Sequence, residues 1–218
     1  MKKQLTVTIV GILVLAAAVG GYAVANSKKS TNPDVAASST VTGSRHNAAM
    51  VDMLKVQTGN AYDEMFITMM SEHHAGAVTM AQMVDTEAPH AEVRALAVQI
   101  IATQSKELAD MKAWSAQWGY TYNEPSRNAV MAMSNGMDSL KGEALERQFL
   151  NDMISHHNDA LDMATLSANR ANHAEIKTLS ANIEASQTKE ISTMQQLLMQ
   201  FGYRQSSASE DHGSMMAH

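Results

Sequence analysis

The chain has 218 residues, 45% of them hydrophobic, and a formal net charge of -6. That length supports a sizeable buried core, and an acidic balance with no basic stripe gives no support for a nucleic-acid partner. The cysteine count is zero, which excludes disulfides, thiolate catalysis and zinc–thiolate sites. Methionine is in excess at 18 residues, accompanied by nine histidines. Soft core packing explains such an excess, and so does thioether ligation of a soft metal. Composition does not choose between them.

At the amino terminus, Lys2 and Lys3 precede an apolar run from Leu5 to Val19. Gly20 and Gly21 interrupt it, and Ala23-Val24-Ala25 offers small residues for cleavage. Residues 1–25 therefore read as a secretory signal peptide. The alternative is an uncleaved anchor, because the apolar stretch is long enough to span a bilayer. Both readings export the remainder, to the periplasm or cell envelope. Without Lys2 and Lys3 the charge becomes -8. Residues 26–44 are small, polar and low in complexity, the composition of a flexible spacer. The folded part is expected over 45–205. It opens with an amphipathic helix near "RHNAAMVDMLKV".

The central feature is an internal repeat. Residues 66–120 align without a gap to 149–203, at an offset of 83, with about two positions in five identical. Matched pairs include Met70/Met153, His73/His156, His74/His157, Met80/Met163, His90/His173, Gln104/Gln187, Glu107/Glu190 and Met111/Met194. Two copies of one supersecondary unit are implied, over 61–120 and 143–203.

Each unit reads as a helical hairpin. Phe66, Met70, His73, Ala77, Met80 and Val84 alternate spacings of four and three, the seam of a bundle helix. The break falls near "DTEAPH", where Pro89 suits the first turn of a new helix. The second helix carries Val93, Leu96, Ile100, Met111, Trp114 and Trp118, and Gly119 is its stop signal. In the second unit the helices are expected over about 143–168 and 172–201, with Gly202 ending the last. The link between units holds a short helix near Ala129. Four helices with one long crossover predict an all-α, antiparallel four-helix bundle of ferritin-like type.

Polar residues interrupt the seam. His73 and His74 both fall in the apolar stripe, with Met70 before them and Met80 after. Glu107 falls on the apolar face of the next helix, with Gln104 beside it. A reversal near residue 87 puts Met70 level with Gln104, and Glu107 about one turn lower. Each half thus supplies a belt of Met, His, His, Gln and Glu. One reading is a hydrogen-bonded core network that sets helix register. The other is a soft-metal site, since imidazole with thioether suits Cu(I) and, by analogy, Ag(I); the carboxylates would orient the imidazoles.

His90 and His173 stand at helix starts, as turn residues or as neutral ligands. Met131, Met133 and Met137 lie in the crossover, for packing or for metal. The tail, residues 206–218, reads as flexible and gathers His212, Met215, Met216 and His218, a tract able to capture metal without a fold.

"MMSEHHAGAVTMA" followed by "IIATQSKELADMKAW", with "MISHHNDALDMA" and "IEASQTKEISTMQQL" in the second copy, resembles a bacterial family long catalogued as a domain of unknown function. The family includes CopM-like periplasmic copper-binding proteins. The likeness covers about residues 61–203. It implies a ferritin-like bundle, usually exported, that binds copper and silver in copper tolerance. Its motif positions here are Met70, His73, His74, Gln104, Glu107 and Met111, with Met153, His156, His157, Gln187, Glu190 and Met194.

The expected protein is therefore a non-catalytic copper binder that buffers or delivers Cu(I), with Cu(II) or Ag(I) as alternatives. Its partners are metal ions and other copper-handling proteins of the envelope. A homo-oligomer stays open, and contact with a membrane runs only through an uncleaved N-terminal segment. A purely structural or interaction bundle is the alternative. A di-iron oxidase is disfavoured because its Glu-x-x-His ligand set is missing: Glu87-Ala88-Pro89-His90 has the spacing but lies at a turn, and its counterpart begins with Arg170. No nucleophile–base constellation or phosphate loop is present.

Overall fold

The structure, a computed structural model, describes residues 48–134 and 136–203. The expected signal peptide, spacer and His/Met tail lie outside the described residues. Residues 48–55 are helical and are called α1. There follow α2 (Gly59–Gln82), α3 (Ala91–Trp118), α4 (Arg127–Met133), a 3-10 turn (Met137–Ser139), α5 (Gly142–Ala164), α6 (Ser167–Arg170) and α7 (Ala174–Gln200). Among the described residues there is no strand, only one isolated bridge between Gly59 and Ala171. Nor is any described helix long and apolar enough to cross a membrane.

Helix α2 packs on α3 and α5, and α7 packs on α5 and α3, closing a ring of four. The direction of each helix follows from its contacts. Tyr62, at the start of α2, reaches the end of α5, where its hydroxyl donates to the Met163 carbonyl at 3.4 Å and meets Ser167 Oγ at 2.8 Å. Met111 in the second half of α3 shares a cluster with Ile176 and Leu179 at the start of α7. Both pairs are antiparallel, so the order is up, down, down, up. The α3–α5 connection must then run the length of the bundle, and its helix α4 packs along α2. This is the ferritin-like four-helix bundle expected from the repeated hairpins.

Chain ends of the helices follow local chemistry. Gly119 takes φ 73° after α3, and the Tyr120 amide returns to the Ser115 carbonyl at 2.9 Å. Gly202 takes φ 68°, and the Tyr203 amide returns to Leu198 at 2.8 Å. A left-handed residue here costs glycine least.

Two boundaries differ from the sequence reading. After α2, hydrogen-bonded turns continue through Ala88, whose amide bonds the Val84 carbonyl at 3.1 Å. The reversal therefore falls at Pro89–His90 rather than near 87. Glu107 comes level with His74, and Met111 with Met70. Helix α5 stops at Ala164 instead of reaching 168. The Thr165 hydroxyl turns back to the Asp162 carbonyl at 3.1 Å, and α6 starts after a two-residue break. Ser167 Oγ lies buried between Tyr62 Oη and Ser180 Oγ, at 2.8 and 2.7 Å.

The core has two apolar bodies. One gathers Met80, Val84, Val93, Leu96, Ile100, Leu145, Phe149, Leu150, Met153 and Met194. The other gathers Leu54 of α1 with Tyr62, Phe66, Met70, Met111, Met163, Ile176 and Ile183. Burying each such side chain contributes roughly 1.5–3 kcal/mol. Between the two bodies lies the histidine belt.

Candidate metal centre

Helix α2 presents His73 and His74, and α5 presents His156 and His157, all four buried at the waist of the bundle. Their neighbours on α3 and α7 are Gln104, Glu107 and Gln187, also buried, and Glu190. The inner pair meets across the α2–α5 interface: the His73 and His156 ring centroids are 3.6 Å apart, inclined at 41°. The outer pair is tied to carboxylates. His74 Nε2 lies 2.7 Å from Glu107 Oε2, and His157 Nε2 lies 2.7 Å from Glu190 Oε2. A carboxylate only accepts, so the imidazole Nε2–H donates in both bonds. A neutral ring in that tautomer carries its lone pair on Nδ1.

These lone pairs have no protein partner. Among the described residues, both ring nitrogens of His73 and of His156 are buried and unpartnered. So are Nδ1 of His74 and of His157, both side-chain polar atoms of Gln104, and Oε1 of Gln187. Folded interiors satisfy nearly all such groups. Burial holds the His73 and His156 imidazoles well below the usual histidine range, the neighbouring histidines push the same way, and the close approach of each residue to the other's backbone opposes them only weakly. Both rings are thus neutral, which is the ligand form.

The six predicted methionines flank the belt in two groups. Met80, Met153 and Met194 lie in one apolar body, and Met70, Met111 and Met163 in the other. All six are fully buried, and Met111 Sδ accepts from Ser71 Oγ at 3.7 Å. The donor set is therefore neutral imidazole with thioether nearby, which fits a soft cation. Among the described residues no three His, Asp or Glu side chains converge on a metal position. Glu107 also lines a groove of about 520 Å³ between α3 and α7, with Lys106, Asp110, Trp114 and Glu175. The outer edge of the belt thus faces a surface depression.

His90 and His173 sit at opposite ends of the bundle and do not join the belt. Each is held by a buried carboxylate from the other hairpin. Glu146 accepts from the His90 amide at 3.0 Å, from its Nδ1 at 2.6 Å and from the Tyr203 hydroxyl at 2.9 Å. Asp63 accepts from the amides of Asn172 and His173 at 3.0 and 2.9 Å, and from His173 Nδ1 at 2.7 Å. The rings stack on Phe201 and Trp118, each at 3.7 Å. These carboxylates satisfy amides at the starts of α3 and α7 that would otherwise lack acceptors. Sequence reasoning missed Asp63 and Glu146. The signal was present, since an offset of 83 pairs acid with acid three positions before Phe66/Phe149. In the crossover, Met137 is core and Met131 is exposed. Met133 lies against Gly76, beside His156. His212, Met215, Met216 and His218 lie outside the described residues.

Fold and centre together define a class: a ferritin-like four-helix bundle with buried histidines at its waist and methionines above and below them. The chain belongs to the family described as Domain of unknown function (DUF305), whose profile matches residues 63–148 and again 146–218. Among solved structures, a DUF305 fragment from Deinococcus radiodurans is 31% identical, with 63% of this chain and 95% of that one covered and a TM-score of 0.56. CopM in its Cu(I)-bound form is also 31% identical, covering 64% and 96%, with a TM-score of 0.55. CopM has been solved with Cu(II) and with silver as well. A DUF305 protein from Streptomyces coelicolor, described as secreted, is 28% identical over 69% of this chain and 98% of its own, with a TM-score of 0.57. No curated protein matches the chain.

Proposed function

We propose that this is an exported, non-catalytic metal-binding protein that holds Cu(I), and also Ag(I), through the imidazoles of its waist. The observation that carries the reading is the His73–His156 pair: two neutral buried rings in contact, with four ring nitrogens that no protein group satisfies. A network that only fixed register would pair its polar atoms, because an unsatisfied buried group costs about 1–3 kcal/mol. Glu107 and Glu190 accept from Nε2 of His74 and His157 and leave the buried Nδ1 of each without a protein partner. The flanking methionines make the surroundings soft, and soft surroundings favour Cu(I) over harder divalent ions. The copper- and silver-bound relative supports the choice of metal. The N-terminal pattern and the secreted relative support export. In the periplasm or cell envelope such a protein buffers copper, contributes to tolerance or passes the ion to other copper-handling proteins.

An anaerobic Cu(I) titration against a strong chelator tests the reading. The double variant His73→Ala, His156→Ala is expected to lose the tight site. Unchanged stoichiometry and affinity would remove the waist from the function, and no copper retained by the parent would favour a purely structural bundle.

A further inference from the structure

The crossover meets the belt at Gly76. A Cβ on that residue would run into the sulfur of Met133, and would lie 3.2 Å from Nε2 of His156 and 3.3 Å from Cβ of Met133. The absent side chain thus lets α4 lay a thioether against α2, next to a buried ring nitrogen that has no protein partner. Gly76 has an ordinary helical environment in α2, where glycine costs about 1 kcal/mol relative to alanine. The close approach of Met133 supplies a reason for it. At the offset of 83 the equivalent position is Asp159, so the glycine belongs to the hairpin on which the crossover packs.

Met133 also differs from the six belt methionines in exposure. Those are sealed in the two apolar bodies, whereas Met133 is half-buried. Its unbranched side chain is mobile about three bonds. Two imidazoles alone offer Cu(I) a two-coordinate site. A thioether added from the side makes it three-coordinate and softer, with no proton to displace.

We propose that Met133 of the crossover is a metal ligand, the third donor that joins His73 and His156 from the solvent side. The proposal rests on the reading that Cu(I) sits at the histidine pair, and its test separates the two. Copper-edge X-ray absorption and anaerobic Cu(I) competition are measured on the full chain, on Met133→Leu, on Gly76→Ala and on the double histidine variant. Leucine keeps the apolar volume and removes only the sulfur, and circular dichroism checks that each variant is folded. The parent is expected to show a sulfur shell beside a nitrogen shell. Met133→Leu loses the sulfur shell and binds Cu(I) about 10- to 100-fold more weakly. Gly76→Ala, which displaces the thioether without changing it, does the same; if it fails to fold, Met133→Leu alone decides. A nitrogen-only shell in the parent overturns the proposal, as does a sulfur shell or an affinity that Met133→Leu leaves intact. If the double histidine variant keeps the parent's affinity and shell, the waist itself is not the site. If it loses copper while Met133→Leu does not, only the Met133 assignment falls.

Discussion

Replacing His73 and His156 together by leucine should remove, from the metal-free bundle, a definite part of the stability that the parent loses as pH falls. Both rings are buried and held neutral in the fold, whereas in the unfolded chain they titrate near 6.5. As pH falls through that value the unfolded state takes up two protons that the folded state refuses, so stability falls with pH. Each ring contributes about 1.4 kcal/mol per pH unit below its unfolded value. Between about pH 7.5 and 5.5 the pair accounts for about 2.7 kcal/mol. The double leucine variant lacks this loss. At pH 7.5, removing the unpartnered nitrogens offsets the misfit of the new side chains, so stability stays within about 2 kcal/mol of the parent or rises. Urea unfolding followed by circular dichroism at both pH values reads the difference, and the subtraction cancels the other histidines. A parent as flat as the variant would refute the argument. So would a variant that loses more than about 4 kcal/mol at pH 7.5, the sign of a satisfied network being broken.

Glu107→Gln and Glu190→Gln leave the hydrogen bond to the imidazole possible but no longer dictate its tautomer. Each should weaken Cu(I) binding by about 10- to 100-fold in chelator competition, and unchanged affinity would sink the orienting role. Glu146→Gln and Asp63→Asn act at the bundle ends. Each removes charge from a carboxylate that accepts from backbone and ring, and should cost about 1.5–3 kcal/mol in thermal or urea unfolding. Copper affinity should not move, because these groups lie away from the waist. Ser167→Ala leaves the Ser180 hydroxyl without its acceptor and the Tyr62 hydroxyl with only the Met163 carbonyl, and should cost about 1–3 kcal/mol. Combined with Tyr62→Phe the loss should be smaller than the sum, and strict additivity in a double-mutant cycle would show that the three hydroxyls do not form one chain.

Much of this was legible along the chain. The alternating spacing from Phe66 to Val84 places one stripe on one helix face whatever the partner. The repeat at 83 residues required two like hairpins, and two hairpins with short internal turns leave few ways to close a core. The waist was legible as a composition, since His73, His74, Glu107 and their counterparts interrupt otherwise apolar stripes. Its geometry was not. The partner of His74 depends on where the hairpin reverses, and turns continuing to Ala88 moved that point by about three to four helix positions. Moving the reversal shifts the residue that comes level on the facing helix by twice as much, so Met70 faces Met111 in place of Gln104.

Other features exist only between elements distant in sequence. Asp63 and Glu146 were not among the expected site residues, yet each is buried and accepts from amides of the opposite hairpin. Met133 reads as one of three crossover methionines, for packing or for metal, and only the path of the crossover sets it against Gly76 on the side where His156 lies. Periodicity and residue chemistry are local, so the helices, their duplication and the presence of imidazoles in the core follow from residue order alone. The tertiary structure decided which nitrogens are tied to carboxylates and which are left free. Hydrogen bonds between helices depend on relative height and rotation, and those are set only when the whole bundle packs.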